Sequence, residues 1–183
     1  MNPVYPTKSL LVWALGIFVT TLVVYVMTMP ATITLEDSGL FQMVCHNGGI
    51  GHPPGYPLFI LACQGFVDLP VFTEGVFAGN LLSAVFASFS CVCLLFVCFE
   101  ILRDKHLSVL VTLFYGFSAT FWSQAIIIEV YTLSVILFLA NTLASARSRK
   151  VETSVMAPNP SASMVRAASI MFRSVAFCFT ISQ

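Results

Sequence analysis

Residues 75–102 read GVFAGNLLSAVFASFSCVCLLFVCFEIL, a run whose one charge, Glu100, stands near its end. A helix that crosses roughly 30 Å of hydrocarbon at 1.5 Å per residue needs about 20 mostly apolar residues. The run therefore predicts a membrane-spanning helix. Working outward, three more stretches meet the same condition: 9–29, closed by Pro30; 107–124; and 125–145, which carries Glu129 near its start. The first is too long, and too poor in a small-residue cleavage site, to be a removable signal peptide. The fold class predicted is an all-α integral membrane protein with about four spans, in a membrane domain covering 9–145.

Composition points the same way. Of 183 residues, 58% are hydrophobic and 9% charged, with a mean hydropathy of +0.93, against about 25% charged residues in soluble domains. Lys and Arg number 8, Asp and Glu 8, for a net charge of zero, so nucleic acid finds no electrostatic footprint. The bilayer is the expected partner. Basic residues near span ends stay on the cytoplasmic side, and Lys8, Arg103, Lys105, Arg147, Arg149 and Lys150 all fit one side. That orientation puts the N-terminus in the cytoplasm and loop 30–74 outside, on a periplasmic or lumenal face. Within the loop, 56–67 is apolar but too short to span, and reads as an interfacial helix. Residues 146–183 read as a cytoplasmic linker and tail. Ser and Pro enrich 151–163, and a poor fifth span holds Arg166 and Arg173, each costly at mid-bilayer. The tail reads as the truncated or out-of-frame end of a longer pattern.

Three places on the external side can carry chemistry. Glu36 and Asp37 lie in Thr34-Leu35-Glu36-Asp37-Ser38-Gly39, with no basic residue to neutralise them. They can supply a general base, hold a divalent cation, or cap a helix beginning near Ser38. Gly48-Gly49-Ile50-Gly51-His52-Pro53-Pro54-Gly55-Tyr56-Pro57 combines glycine freedom with fixed proline φ, a sharply shaped turn that can set His52 and Tyr56 above the membrane surface. Its plain alternative is a loop-to-helix junction with Pro57 in the first helical turn. Glu129, in an apolar run, is a functional-site candidate because an intramembrane carboxylate is costly; its alternative is to snorkel outward, as Glu100 does beside Arg103. Cys91, Cys93 and Cys98 pack as small apolar groups in a span. Cys45 and Cys63 share the external loop, where a bridge is permitted by compartment but not indicated by spacing.

The string His52-Pro53-Pro54-Gly55-Tyr56-Pro57-Leu58-Phe59, preceded by one span and Asp37-Ser38-Gly39-Leu40-Phe41, resembles a family of polytopic membrane proteins formerly labelled a domain of unknown function. Its animal members include transmembrane protein O-mannosyltransferases. Phe121-Trp122-Ser123-Gln124 and Glu129-Val130-Tyr131-Thr132-Leu133 resemble a later motif of that family, and the likeness covers residues 10–145. The resemblance implies the N-terminal part of a GT-C glycosyltransferase fold. It implies a polyprenyl- or dolichyl-phosphate sugar as donor and a hydroxyl of a protein or glycan as acceptor. Asp37, with Glu36, would be the catalytic acid pair; His52, Tyr56 and Glu129 would line the substrate site. Leu40 stands where the family usually has an acid, so one carboxylate is missing from its expected position. Two other functions stay open: a non-enzymatic membrane subunit that packs against a partner, and a transporter, for which intramembrane acids and broken helices are expected.

Overall fold

The computed structural model describes residues 8–34, 37–51, 53, 55–70 and 75–155, and these are helical with no strand among them. In chain order the helices are α1 (Lys8–Thr28), α2 (Ser38–Asn47), α3 (Pro57–Val67), α4 (Gly75–Leu102), α5 (Lys105–Gly116), α6 (Ala119–Ala125) and α7 (Tyr131–Val155). Two of them, α1 and α4, are long and apolar enough to cross a membrane. They coincide with two of the stretches that composition singles out.

Helix α4 is the centre of the molecule and packs against α1, α5 and α7. Its buried residues include Ala78, Gly79, Ser83, Ala84, Ala87, Ser88, Ser90 and Cys91. Small side chains let helix backbones approach closely, which is how helices associate where lipid removes the hydrophobic drive between them. The hydroxyls are satisfied: Ser88 donates to the Ala84 carbonyl at 2.8 Å, and Ser90 to those of Phe86 and Thr132. Helix α1 buries one stripe, Leu10, Ala14, Ile17, Thr21 and Tyr25, at helical spacing. Its other faces expose Val12, Leu15, Val19 and Val23, and a helix apolar on all faces suits lipid better than water.

The stretch 107–124 is not one helix. It holds most of α5 and α6, separated at Phe117–Ser118, where the Phe117 and Ser118 amides turn back to the Leu113 and Tyr115 carbonyls. Likewise, 125–145 contains a non-helical segment, 126–130, ahead of α7, and α7 runs past the expected boundary to Val155. Apolar composition records immersion but not continuity, so these breaks left no trace in hydropathy. What permits the first is a hydrogen bond from across the bundle: the Tyr25 hydroxyl of α1 donates to the Gly116 carbonyl at 2.7 Å. Tyr25 is fully buried. Tyr25→Phe strands that carbonyl, and we expect a loss of about 1–3 kcal/mol, read as a lowered melting temperature of the detergent-purified protein; unchanged melting would show that the break is held by other groups.

Glu100 lies beside Arg103 as expected, but its side chain is only 9% exposed and does not reach out to water. Arg103 takes a left-handed φ of 59° and pairs with Glu100 at 3.5 Å, while the Asp104 side chain caps α5 by accepting from the Leu107 amide at 2.8 Å.

Candidate functional site

The segment between α1 and α4 folds into a two-helix platform. Asp37 is the N-cap residue of α2; its side chain makes no capping bond, and it is exposed. Ser38 is buried, donates to the Thr34 carbonyl at 2.9 Å and meets the Thr34 hydroxyl at 3.0 Å. Asp37 stands at the positive end of α2, where a negative charge stabilises the helix.

The glycine- and proline-rich loop then returns the chain to α3. Gly55 has a φ of 96°, open to glycine and rarely to other residues. Tyr56 is the N-cap of α3 and is itself left-handed, at φ 43° and ψ 53°, with Pro57 in the first turn. A non-glycine residue held there is strained. Its ring rests edge-on against Phe41, centroids 6.1 Å apart, and Phe41 meets Phe59 of α3 at 5.5 Å. Phe41 lies one turn beyond Asp37, and its amide donates to the Asp37 carbonyl at 3.0 Å. Cys45 of α2 and Cys63 of α3 form a disulfide, Cα atoms 5.5 Å apart, where spacing alone had given no pairing.

The platform seats on the N-terminal half of α4. Phe41, Val44, Cys45, Phe59, Ile60 and Cys63 share one core with Ala78 and Leu82 of α4 and with Ile128 and Val130. Glu129, between those last two, is buried, at 3% exposure, and does not snorkel to water as its plain alternative would require. It lies in the non-helical segment 126–130, whose backbone is held by α4: the Ile128 amide donates to Asn80 Oδ1 at 3.0 Å and the Glu129 amide to Ser83 Oγ at 3.1 Å. Asn80 Nδ2 reaches the other way, to the Pro30 carbonyl at 3.1 Å. The Trp122 indole, from the Phe-Trp-Ser-Gln motif, donates to Thr28 Oγ1 at 3.0 Å.

Gly79 is a point of close approach between α2, α4 and the 126–130 segment. A Cβ there would stand 2.7–2.8 Å from the Gln42 amide and from Ile128 Cδ1, and Gln42 is already buried, bonded through Nε2 to the Val76 carbonyl. In Gly79→Ala the ends of the Gln42 and Ile128 side chains must give way, and because both are buried we expect a cost of about 1 kcal/mol, the lower end of overpacking. Thermal unfolding checks it; a neutral result would mean that the two side chains reseat freely.

Of the residues singled out from sequence, Tyr56 packs against the core that holds Ile128 and Val130, the neighbours of Glu129; Asp37 is exposed at the start of α2; Glu36 and His52 lie outside the described residues. Sequence reasoning missed Asn80, Ser83 and Tyr25. Polar residues inside apolar spans mark sites that need a partner, and Asn80 and Ser83, three apart on α4, carried that signal. Among the described residues no group of three or more His, Cys, Asp or Glu side chains gathers to hold a metal ion.

Comparison with known proteins adds a family context. The profile of the protein O-mannosyl-transferase TMEM260 N-terminal domain matches residues 37–182. The chain is 28% identical over 121 residues to the protein O-mannosyl-transferase TMEM260 of Mus musculus, covering 66% of this chain and 17% of that protein. To the corresponding protein of Dictyostelium discoideum it is 25% identical over 129 residues, covering 69% of this chain and 16% of that one. The chain spans about one sixth of the length of these curated relatives. No solved structure matches it.

Proposed function

The chain belongs to the protein O-mannosyl-transferase TMEM260 N-terminal domain family, and from that premise we propose that it forms the acid-bearing external loop, with its supporting spans, of a membrane mannosyltransferase. The observation that carries the reading is the exposed Asp37 carboxylate, held on the disulfide-closed platform between two helices of membrane-spanning length. The donor is a dolichyl- or polyprenyl-phosphate mannose, whose sugar is presented at the membrane surface, and the acceptor is a protein hydroxyl. Asp37 takes the hydroxyl proton as the oxygen attacks the anomeric carbon. The bond from that carbon to the lipid phosphate breaks, and the configuration inverts. A general base works within about 2.6–3.2 Å of the proton it accepts, and a carboxylate fixed on a short rigid turn meets that demand at low entropic cost. Tyr56, His52 and Glu129 shape the sugar site.

In this reading α5–α6 and α7 complete a set of four membrane segments of GT-C type, with the platform on the lumenal face and Lys8, Arg103, Lys105 and Arg147 on the cytoplasmic one.

The test is mannose incorporation from radiolabelled dolichyl-phosphate mannose into membrane and secreted protein acceptors. It compares membranes of cells that make this protein from its own locus with membranes of cells deleted for it. Incorporation lost on deletion and restored by re-expression is expected. Incorporation that does not change on deletion would overturn the reading and favour a non-enzymatic packing partner.

A further inference from the structure

Backbone amides buried away from water must be bonded within the protein, and Ile127, Ile128, Glu129 and Val130 are all buried. A non-helical stretch such as 126–130 therefore needs donors and acceptors brought to it from elsewhere. Asn80 and Ser83 do this from α4, at 2% and 0% exposure, with their side chains on the Ile128 and Glu129 amides. Asn80 also binds the Pro30 carbonyl, where α1 gives way to the Asp37 loop. One side chain on the central helix thus ties together the two segments that bear the site's carboxylates, and the next polar position on the same face fixes the backbone of Glu129 itself.

We infer that Asn80 and Ser83 are positioning residues, which set the separation and register of the Asp37 loop and Glu129. The inference rests on the sugar-transfer reading of that site. Packing alone would not select these residue types. An apolar side chain would fill either position in an apolar helix without the desolvation cost of an amide or hydroxyl, and their polar atoms spend their bonding on backbone groups of other segments. Misplacing a reacting group by an ångström costs about 100-fold in rate, so holding these two backbones matters to turnover more than to affinity.

The test uses two near-isosteric comparisons in the protein made from its own locus: Asn80→Leu against wild type, and Ser83→Val against Ser83→Thr. Thr keeps the hydroxyl and Val has a methyl in its place, so both meet the same crowding. Amide hydrogen exchange of the 126–130 peptide and kcat and KM for transfer from dolichyl-phosphate mannose are measured together. Protein abundance and Cys45–Cys63 bridging report folding. Expected for Asn80→Leu and Ser83→Val are exchange about tenfold faster, as the loss of one hydrogen bond gives, and kcat about 10- to 100-fold lower with KM little changed. Ser83→Thr is expected to recover both. Exchange unchanged in the two variants would overturn the inference. Faster exchange with kcat unchanged would overturn the positioning role and leave the sugar-transfer reading standing. No transfer by the unsubstituted protein would overturn that reading, and the positioning role with it, whatever the exchange.

Discussion

Asp37→Asn is expected to lower mannose transfer by about 100- to 10,000-fold, the range that general-base catalysis contributes, with KM for the lipid-linked donor nearly unchanged. Asn is close in size and shape to Asp, and normal protein abundance with an intact Cys45–Cys63 bridge shows that the variant folds. The loss therefore reports on the proton-accepting carboxylate rather than on folding. Thr34 and Ser38 hold the turn by their own hydrogen bonds, so the backbone around the substitution is retained. Glu36→Gln is the paired comparison. Adjacent residues do not share a helix face, and Asp37 stands at the threshold of α2, so the two carboxylates point apart if Glu36 continues the helix. Equal losses from both would make the pair a joint site; a loss from Glu36→Gln alone would move the base one residue upstream. Retained transfer in Asp37→Asn, with the protein present at normal abundance, would leave the platform without its proposed chemistry.

The parts of this arrangement that sequence discloses are those governed by local chemistry. Apolar length gives α1 and α4, the Tyr56–Pro57 junction gives α3, and Asp37 before Ser38 gives the start of α2. The order of basic residues gives an expected orientation, which thiol labelling tests. What sequence withholds depends on long-range partners. The run Ala125-Ile126-Ile127-Ile128-Glu129-Val130 reads as the beginning of a span because its hydropathy is that of one. It departs from the helix because Asn80 and Ser83, more than 40 residues earlier, take over its amides. The break at Phe117 is equally invisible without Tyr25, 91 residues away from Gly116. Nor does spacing pair Cys45 with Cys63, since the pairing follows from how α2 and α3 pack through Phe41 and Phe59. In each case the missing information is which buried polar or sulfur atom meets which backbone or thiol, a property of tertiary packing.

Removing the disulfide is the second large perturbation. Cys45→Ser and Cys63→Ser should each destabilise the platform by about 2–4 kcal/mol, because the bridge closes a loop of modest length and a 15-residue loop is worth about 3 kcal/mol in unfolded-chain entropy. Here the separation is 18 residues. The closed loop contains the entire Gly48–Pro57 turn, so the entropy withheld from the unfolded chain is that of the segment carrying Gly55 and the strained Tyr56. With both half-cystines buried, at 1% and 0% exposure, a serine hydroxyl adds its own desolvation cost. The double substitution to Ala separates the terms: it removes the bridge without burying a hydroxyl, and should fall nearer the lower end of the range. Thermal unfolding of the purified protein measures all three. The unsubstituted protein, with the double Ala variant as its reference, tests orientation, since disulfides persist in oxidising compartments and not in the cytosol. Two maleimide-reactive thiols beyond those of the reference, appearing only after reduction and denaturation, would put loop 30–74 on the lumenal or extracellular face. Both thiols reacting in the denatured protein without reduction would turn the topology over, and would take Asp37 to the wrong side of the membrane for a sugar presented from the lumenal leaflet.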